Sequence, residues 1–368
     1  MQDGLQPPQS LTIRNIRAVG TEVPMTFALG TSREAISKAP LLLVDLETEQ
    51  GITGRAYLWC YFRQGMTAVA AVVGAALDAV KGDVVAPLEI ETKLSKRFAL
   101  IGKQGIVRMA LAAIDMAAWD ALAQSAGLPL ATMLGAQPKR IPAYNSCGLG
   151  LMPLDRLARE ADALLARGFA AVKLRLGYPT LTDDLAAVRA VKKALPQGTA
   201  LLVDYNQALD LAEAQYRGRA LDDEGIDWLE EPIRHDNYRG TALLARELRL
   251  PIQIGENFNG LGDMQNALDE SACDYVMPDL ERIGGVTGWQ RAAALAETRQ
   301  IRMSSHLYPE ISAHLLAVTP TAHYLEYVDW ADKILQEPLT IEDGNAIIPA
   351  RSGNGMTWDE KAIERYRV

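Results

Sequence analysis

The chain has 368 residues, 49% hydrophobic, 23% charged and 6% aromatic, with 37 Lys and Arg against 46 Asp and Glu and a net charge of −9. This composition excludes a disordered chain, a collagen or a coiled coil, and the acidic balance argues against nucleic-acid or anionic membrane-surface partners. The three cysteines, Cys60, Cys147 and Cys273, lie far apart with no CxxC pair, so neither a zinc knuckle nor a disulfide framework is expected and a reducing compartment fits. No basic stretch followed by an apolar run opens the chain, and the longest mostly apolar run, 65–77, is too short to cross a bilayer. A cytoplasmic protein is expected, with two domains or a barrel plus an accessory domain.

Residues 1–10 read as a polar tail, and strands are expected over 11–23 and 41–46, the second closed by the turn residues Glu49-Gln50-Gly51. The stretch 26–39 between them, with Gly30, Ser32, Arg33, Glu34 and Lys38, has no sustained periodicity and reads as a loop or as a lid over a site. From 66 to about 126 the chain is Ala-rich and helical, with apolar residues at helical spacing through 109–123 interrupted by Asp115 and Asp120. The first third is therefore α+β. After about 135, short apolar runs, each ending in a polar residue, alternate with helix-like segments. The polar ends are Lys173, Asp204, Glu230, Glu256, Asp279, His306 and, more weakly, Glu326. They are spaced roughly 20–30 residues apart, the length a strand and its return helix need. The alternation predicts parallel β/α units. If the sheet closes into a barrel the polar ends meet at one mouth; an open sheet spreads them along an edge.

Asp204, Glu230 and Glu256 then become three carboxylates in one partly buried place, where they must take up protons or bind a cation. Oxygen-only ligands favour Mg²⁺ over zinc; the bland alternative is a set of solvated strand-end acids. His306 is one of four histidines. Asp279, one unit earlier, could accept a hydrogen bond from its ring, fixing the tautomer and raising basicity as a general base requires. His314 and His323 lack such a partner and read as structural. Glu326 could protonate or hydrogen-bond a developing oxyanion if burial keeps it neutral. Lys173 could hold a substrate carboxylate or simply pair with the acids at the rim. Together these groups suit removal of the weakly acidic proton beside a carboxylate.

The segments Lys173-Leu174-Arg175-Leu176-Gly177-Tyr178-Pro179, Val203-Asp204-Tyr205-Asn206, Glu230-Glu231-Pro232, Gly255-Glu256-Asn257, Pro278-Asp279 and Ser304-Ser305-His306-Leu307, extended by 283–289 and 311–316, resemble the mandelate racemase branch of the enolase superfamily. The resemblance runs from about residue 11 to the C-terminus. It implies an α/β fold, a modified (β/α)7β TIM-like barrel over 136–340, with an N-terminal α+β capping domain over 11–135, a lid at 26–39, and a segment 341–368 that returns to the cap. It further implies Mg²⁺ on Asp204, Glu230 and Glu256, a catalytic dyad of His306 and Asp279, and a substrate carboxylate held by Lys173 and Glu326. Asn206 would lie near the metal shell, Ser146 would face the substrate, Trp59 and Tyr61 would line the pocket, and the protein would be a homo-oligomer such as an octamer.

One position departs from the family pattern, where Lys-x-Lys reads Lys173-Leu174-Arg175. In the racemase the second lysine is the base on the face opposite the histidine. An arginine side chain has a reference pKa above 12, and holding one neutral at pH 7 costs roughly 7 kcal/mol, about five orders of magnitude in rate. A permanently charged Arg175 is better suited to binding a carboxylate or steadying an enolate. Arg33 on the lid, if it faces inward, favours a substrate with extra polar groups, whereas Trp59 and Tyr61 suit an aryl group. The expected activity is Mg²⁺-dependent abstraction of the α-proton of a 2-hydroxycarboxylate, leading to dehydration of an acid sugar or related hydroxy acid. The alternative is a mandelate-type racemase or epimerase with Arg175 in place of the second-base lysine, and a third class is a silent relative that only binds metal and acid.

Overall fold

The computed structural model describes residues 10–32 and 35–368. The expected tail, apart from Ser10, and the lid residues Arg33 and Glu34 lie outside the described residues. The N-terminal unit is an antiparallel sheet of β1 (Ile13–Gly30), β2 (Ala35–Thr48) and β3 (Thr53–Trp59), with helices α1 (Arg63–Val80) and α3 (Ile106–Ser125) packed on it and α2 (Pro87–Arg97) packed on those two helices. Much of the stretch expected as a loop is strand. Leu29 pairs with Ile36 and Gly30 with Ala35, beyond a register break between Pro24 and Leu29. Proline cannot donate to the ladder, and an interrupted register erases the two-residue alternation that would have marked the strand.

The Ala-rich face of α3 lets the helix lie against β3 with almost no separation: a Cβ on Gly54 would come within 1.9 Å of the Ala117 carbonyl oxygen. The two acids that interrupt its apolar pattern are pins to other parts of the chain. Asp115 accepts from the Thr287 amide (2.9 Å) and hydroxyl (2.5 Å), and Asp120 accepts from the amides of Arg55 (2.8 Å) and Asn354 (2.6 Å). Buried carboxyls satisfied in this way fix register between elements distant in sequence.

The second unit is a closed barrel. Eight parallel strands follow in order, β4 (Arg140–Asn145), β5 (Ala171–Arg175), β6 (Ala200–Asp204), β7 (Trp228–Glu230), β8 (Ile252–Ile254), β9 (Tyr275–Val276), β10 (Arg302–Met303) and β11 (Leu325–Tyr327). β11 pairs with β4, and β10 joins β11 through Ser305 N to Tyr324 O (3.0 Å) and His323 N to Met303 O (2.9 Å). A helix follows each of the first seven strands, whereas the eighth leads through a 3-10 turn (Asp332–Ile334) into the final hairpin, so this is a (β/α)7β barrel. A final hairpin, β12 (Thr340–Glu342) and β13 (Asn345–Ile347), pairs antiparallel with β4. The chain then crosses back to the cap: Trp358 Nε1 donates to Asp45 Oδ1 (2.7 Å) and the amide of Val368 donates to Gly20 O (3.1 Å). The tip of the β1–β2 hairpin rests over the barrel mouth, where Ser32 Oγ donates to Tyr205 O (3.2 Å) and Leu151 N to Gly30 O (3.0 Å).

Candidate active site at the barrel mouth

Register explains why the strand-end residues meet. Arg175 is level with Asp204 and Asp204 with Glu230 in adjacent parallel pairs, and Asp279 pairs with His306 just past β9 and β10. Lys173 and Arg175, two apart on β5, share the inward face. Asp204, Glu230 and Glu256 offer carboxylate oxygens that all lie within 4.8 Å of one another. Lys173 Nζ sits beneath them, 2.7 Å from Glu230 Oε1, 2.7 Å from Glu326 Oε1 and 3.6 Å from Asp204 Oδ2, with its side chain 2% exposed. Burial works against this ammonium, but the three carboxylates outweigh it and raise Lys173 above the ordinary lysine range.

One cation does not balance so many acids. Burial pushes Glu230 up and Lys173 pulls it down, while Asp204, Glu326 and Glu256 push it up again, to about 8. An all-oxygen set of clustered carboxylates that retains excess negative charge fits a hard divalent cation such as Mg²⁺. Asn206 donates to Asp204 through both its amide (2.7 Å) and Nδ2 (2.9 Å), which fixes the orientation of that carboxylate. A measurable consequence follows. At pH 7 the metal-free protein holds a proton on Glu230 that a bound cation must expel. Mg²⁺ binding should therefore release protons at pH 7, and affinity should climb through pH 8 and on toward pH 10, because the His306 imidazolium beside Glu256 is displaced along with the Glu230 proton. Calorimetry in two buffers of different ionisation heat measures this directly; zero proton release would place Glu230 among ordinary ionised acids.

His306 Nδ1 lies 2.6 Å from Asp279 Oδ2, and its Nε2 is 3.3 Å from Glu256 Oε2 and 3.9 Å from Glu326 Oε2. Asp279 is itself fixed by the Glu281 amide, which donates to its other oxygen at 2.7 Å. Burial lowers the imidazole's proton affinity, but Glu256, Glu326 and Asp279 more than offset it and bring the group to about 10 in the metal-free chain. For Glu326 the condition for a neutral acid is that burial dominate its surroundings. Burial pushes it up, but Lys173, His306 and the Leu307 amide (2.9 Å) hold it well below the usual carboxylate range, which favours the carboxylate over a proton donor.

Arg175 donates to the carbonyl oxygens of Ser146 (3.0 Å) and Gly148 (2.6 Å) and to Ser146 Oγ (2.9 Å). Ser146 is thus fully buried behind the guanidinium and does not line the cavity. A serine at the end of β4 was expected to face the substrate, but the longer Arg175 side chain occupies that position instead. His314 accepts from the Ala131 amide (3.1 Å) with its other nitrogen 3.2 Å from Asn354 O, His323 Nδ1 lies 3.4 Å from Ser304 Oγ, and burial lowers each imidazole to about 4.

The groups open into a cavity of about 220 Å³ roofed by the cap. Trp59 and Tyr61 line it as expected, joined by Leu29 and Ile36 from the β1–β2 hairpin and by Leu307 and Trp330. Trp59 stacks on Trp330 at 4.3 Å. Sequence reasoning missed Trp330, in the loop after β11, and Arg282, three residues after Asp279 in the short helix Leu280–Ile283. Arg282 donates to Glu256 O (3.1 Å), to Asn257 Oδ1 and to the Tyr61 hydroxyl. Its offset from a strand-end acid, one helical turn on, was the available signal.

A barrel that gathers three carboxylates for a divalent cation, a buried lysine and a His–Asp pair under a cap defines a metal-assisted enolising enzyme. Comparison with known proteins agrees. Residues 13–135 match the mandelate racemase/muconate lactonizing enzyme N-terminal domain and residues 156–362 the enolase C-terminal domain-like family. The chain belongs to the mandelate racemase/muconate lactonizing enzyme family of the enolase superfamily, and it is a Mg²⁺-using enzyme. It is 44% identical to an enolase of alpha proteobacterium bal199 solved with bound Mg, covering 97% of this chain and 100% of that one with a TM-score of 0.95. It is 37% identical to an enolase from Bradyrhizobium solved with magnesium and mandelic acid, covering 98% and 99% with a TM-score of 0.94. Among curated relatives, it is 30% identical over 346 residues to the L-talarate/galactarate dehydratase of Salmonella typhimurium, 94% of this chain and 87% of that protein.

Proposed function

We propose that the enzyme removes the α-proton of a 2,3-dihydroxycarboxylate of the acid-sugar type and eliminates the C3 hydroxyl, releasing a 2-keto acid. The observation that carries this reading is the asymmetry of the two faces. His306 presents Nε2 to the cavity while Asp279 holds Nδ1. Arg175, three strands away around the mouth, is held by three donated hydrogen bonds to Ser146 and Gly148, and a guanidinium is a far poorer source of a base than a lysine. One base serves elimination; inversion needs two.

Lys173 holds the substrate carboxylate on the barrel floor, beside Glu326, which keeps that lysine charged. His306 Nε2 takes the C2 proton and Asp279 steadies the imidazolium. Mg²⁺, when held by Asp204, Glu230 and Glu256, supplies positive charge against the second negative charge that builds on the substrate carboxylate. In the metal-free chain His306 retains its proton because acids surround it. With a cation held on Glu256 that carboxylate would attract the imidazolium less, which would leave His306 Nε2 able to act as the base. The dehydratase relative supports the same reaction class.

The second reading, a racemase of an aryl 2-hydroxy acid, draws on the apolar wall of Leu29, Ile36, Trp59, Leu307 and Trp330 and on the mandelic acid in the Bradyrhizobium relative. Proton NMR in D₂O separates the two. The wild type is expected to yield a 2-keto acid and to leave unreacted substrate in its original configuration. Arg175→Lys, which installs a base that can be neutral, is expected to add deuterated substrate of inverted configuration. Inversion by the wild type would overturn the one-base reading.

A further inference from the structure

A second pair of side chains bridges the same two turns as the base. Asp279 and His306 face each other just past β9 and β10, and the residues two further along each turn, Glu281 and Tyr308, also meet. The Tyr308 hydroxyl donates to Glu281 Oε2 at 2.5 Å, and both side chains are fully buried. We propose that Glu281 and Tyr308 are positioning residues for the His306–Asp279 base: they clamp the two turns that carry it and fasten that clamp to the cap. The inference rests on His306 as the base, which the dehydration and racemisation readings share, and not on the choice between them.

On the first turn, the Glu281 amide donates to Asp279 Oδ1 (2.7 Å), while Asp279 Oδ2 holds the imidazole Nδ1 at 2.6 Å. The seat of Glu281 therefore orients the carboxylate that orients the base. Its remaining oxygen, Oε1, is buried and makes no hydrogen bond among the described residues, and Arg282 Nε stays 3.9 Å away. The Tyr308 hydroxyl is thus the group that pins this side chain.

On the second turn, His306 is followed by two residues in the left-handed region, Leu307 (φ 52°) and Tyr308 (φ 50°). That conformation is costly for bulky side chains and is kept where the surroundings dictate it. Leu307 is fastened by its amide to Glu326, and Tyr308 by its hydroxyl to Glu281. The same hydroxyl accepts from the Trp59 amide (3.0 Å) at the end of β3, and the Tyr308 ring lies against Tyr57 of that strand, centroids 5.2 Å apart. Trp59 lines the cavity. One phenolic oxygen thus joins a cap strand to both turns of the base, and a roof seated out of place would also misalign the imidazole.

The test reads the base without needing a substrate. The chain has four histidines. In Mg²⁺-loaded enzyme with isotope-labelled histidine, the His306 Nδ1–H, in a short bond to a carboxylate, is expected as a low-field proton resonance that His306→Asn abolishes. Tyr308→Phe keeps the ring against Tyr57 but strands Glu281 and the Trp59 amide. Combining it with Glu281→Leu removes hydroxyl and carboxylate together, which guards against a failure to fold. Both variants are expected to shift that resonance upfield or broaden it. They should also lower kcat for α-proton exchange, with galactarate and mandelate as probes, about 10–10²-fold while KM stays within about threefold. Burial and Asp279 push the Glu281 carboxyl up to about 8, so an uncharged group of the same shape can stand in for it. Glu281→Gln is accordingly expected to recover most of the resonance and rate that Glu281→Leu loses. Variants that lose thermal stability but keep the wild-type resonance overturn the proposal, as does a raised KM at unchanged kcat, or a wild type with no resonance that His306→Asn removes. Failure of the base assignment shows separately, as α-proton exchange by His306→Asn at the wild-type rate, and takes the clamp's role with it.

Discussion

Substituting His306 by Asn is expected to lower α-proton exchange and keto-acid formation together by about 10⁴-fold. Asn keeps a donor for Asp279, whose carboxylate now sits 2.6 Å from the imidazole, so the loop after β10 need not collapse. It lacks a nitrogen that can take a proton. The substitution leaves all three clustered carboxylates in place and removes only the 3.3 Å contact of the imidazole with Glu256, so Mg²⁺ should still bind. The decisive readout is the α-proton signal of the substrate in D₂O. Persistence of that signal with intact Mg²⁺ binding assigns the base; a variant exchanging at the wild-type rate removes His306 from the mechanism in both the dehydration and the racemisation readings.

Lys173→Met produces the largest expected effect on stability. The ammonium is the shared partner of Glu230, Glu326 and Asp204, at 2.7, 2.7 and 3.6 Å. Removing one partner of a buried ionic cluster strands the others and typically costs about 3–5 kcal/mol. The metal-free variant should therefore unfold at clearly lower denaturant, and Mg²⁺ should return part of the loss, because a cation bound only by the folded state stabilises it by mass action. Catalysis should not return, since nothing then holds the substrate carboxylate on the floor. A metal-free variant within about 1 kcal/mol of wild type would show that these acids share protons rather than depend on the lysine.

The site was legible wherever chemistry coincided with strand periodicity. Asp204, Glu230, Glu256, Asp279, His306 and Glu326 end successive β/α units, and closure of the sheet brings them to one mouth. Lys173 was found the same way. What escaped reading depends on contacts between distant elements. Arg282 belongs to a turn of helix, off the strand-end rhythm, and its partner Tyr61 comes from 221 residues earlier. Ser146 carries no local signal that an arginine on the next strand will cover it. The charge state of Glu326 follows from Lys173 and His306, neither of which is near it in the chain. The hairpin strands at 26–30 and 35–39 were hidden because the register break at Pro24 removes their alternation, and tertiary pairing overrides so weak a local preference.

The last stretch of chain bears on how such enzymes could be recombined. After β13 it leaves the barrel, ties Asn354 to Asp120 of α3 and Trp358 to Asp45 of β2, and ends against Gly20 of β1. A cap transplanted from a relative would arrive without the residues that fasten it, and the host's C-terminus would meet a surface shaped for another sequence. A functional chimera must therefore carry residues 13–135 and 348–368 from the same parent, so pocket roof and C-terminus form one unit of exchange although the barrel separates them in sequence.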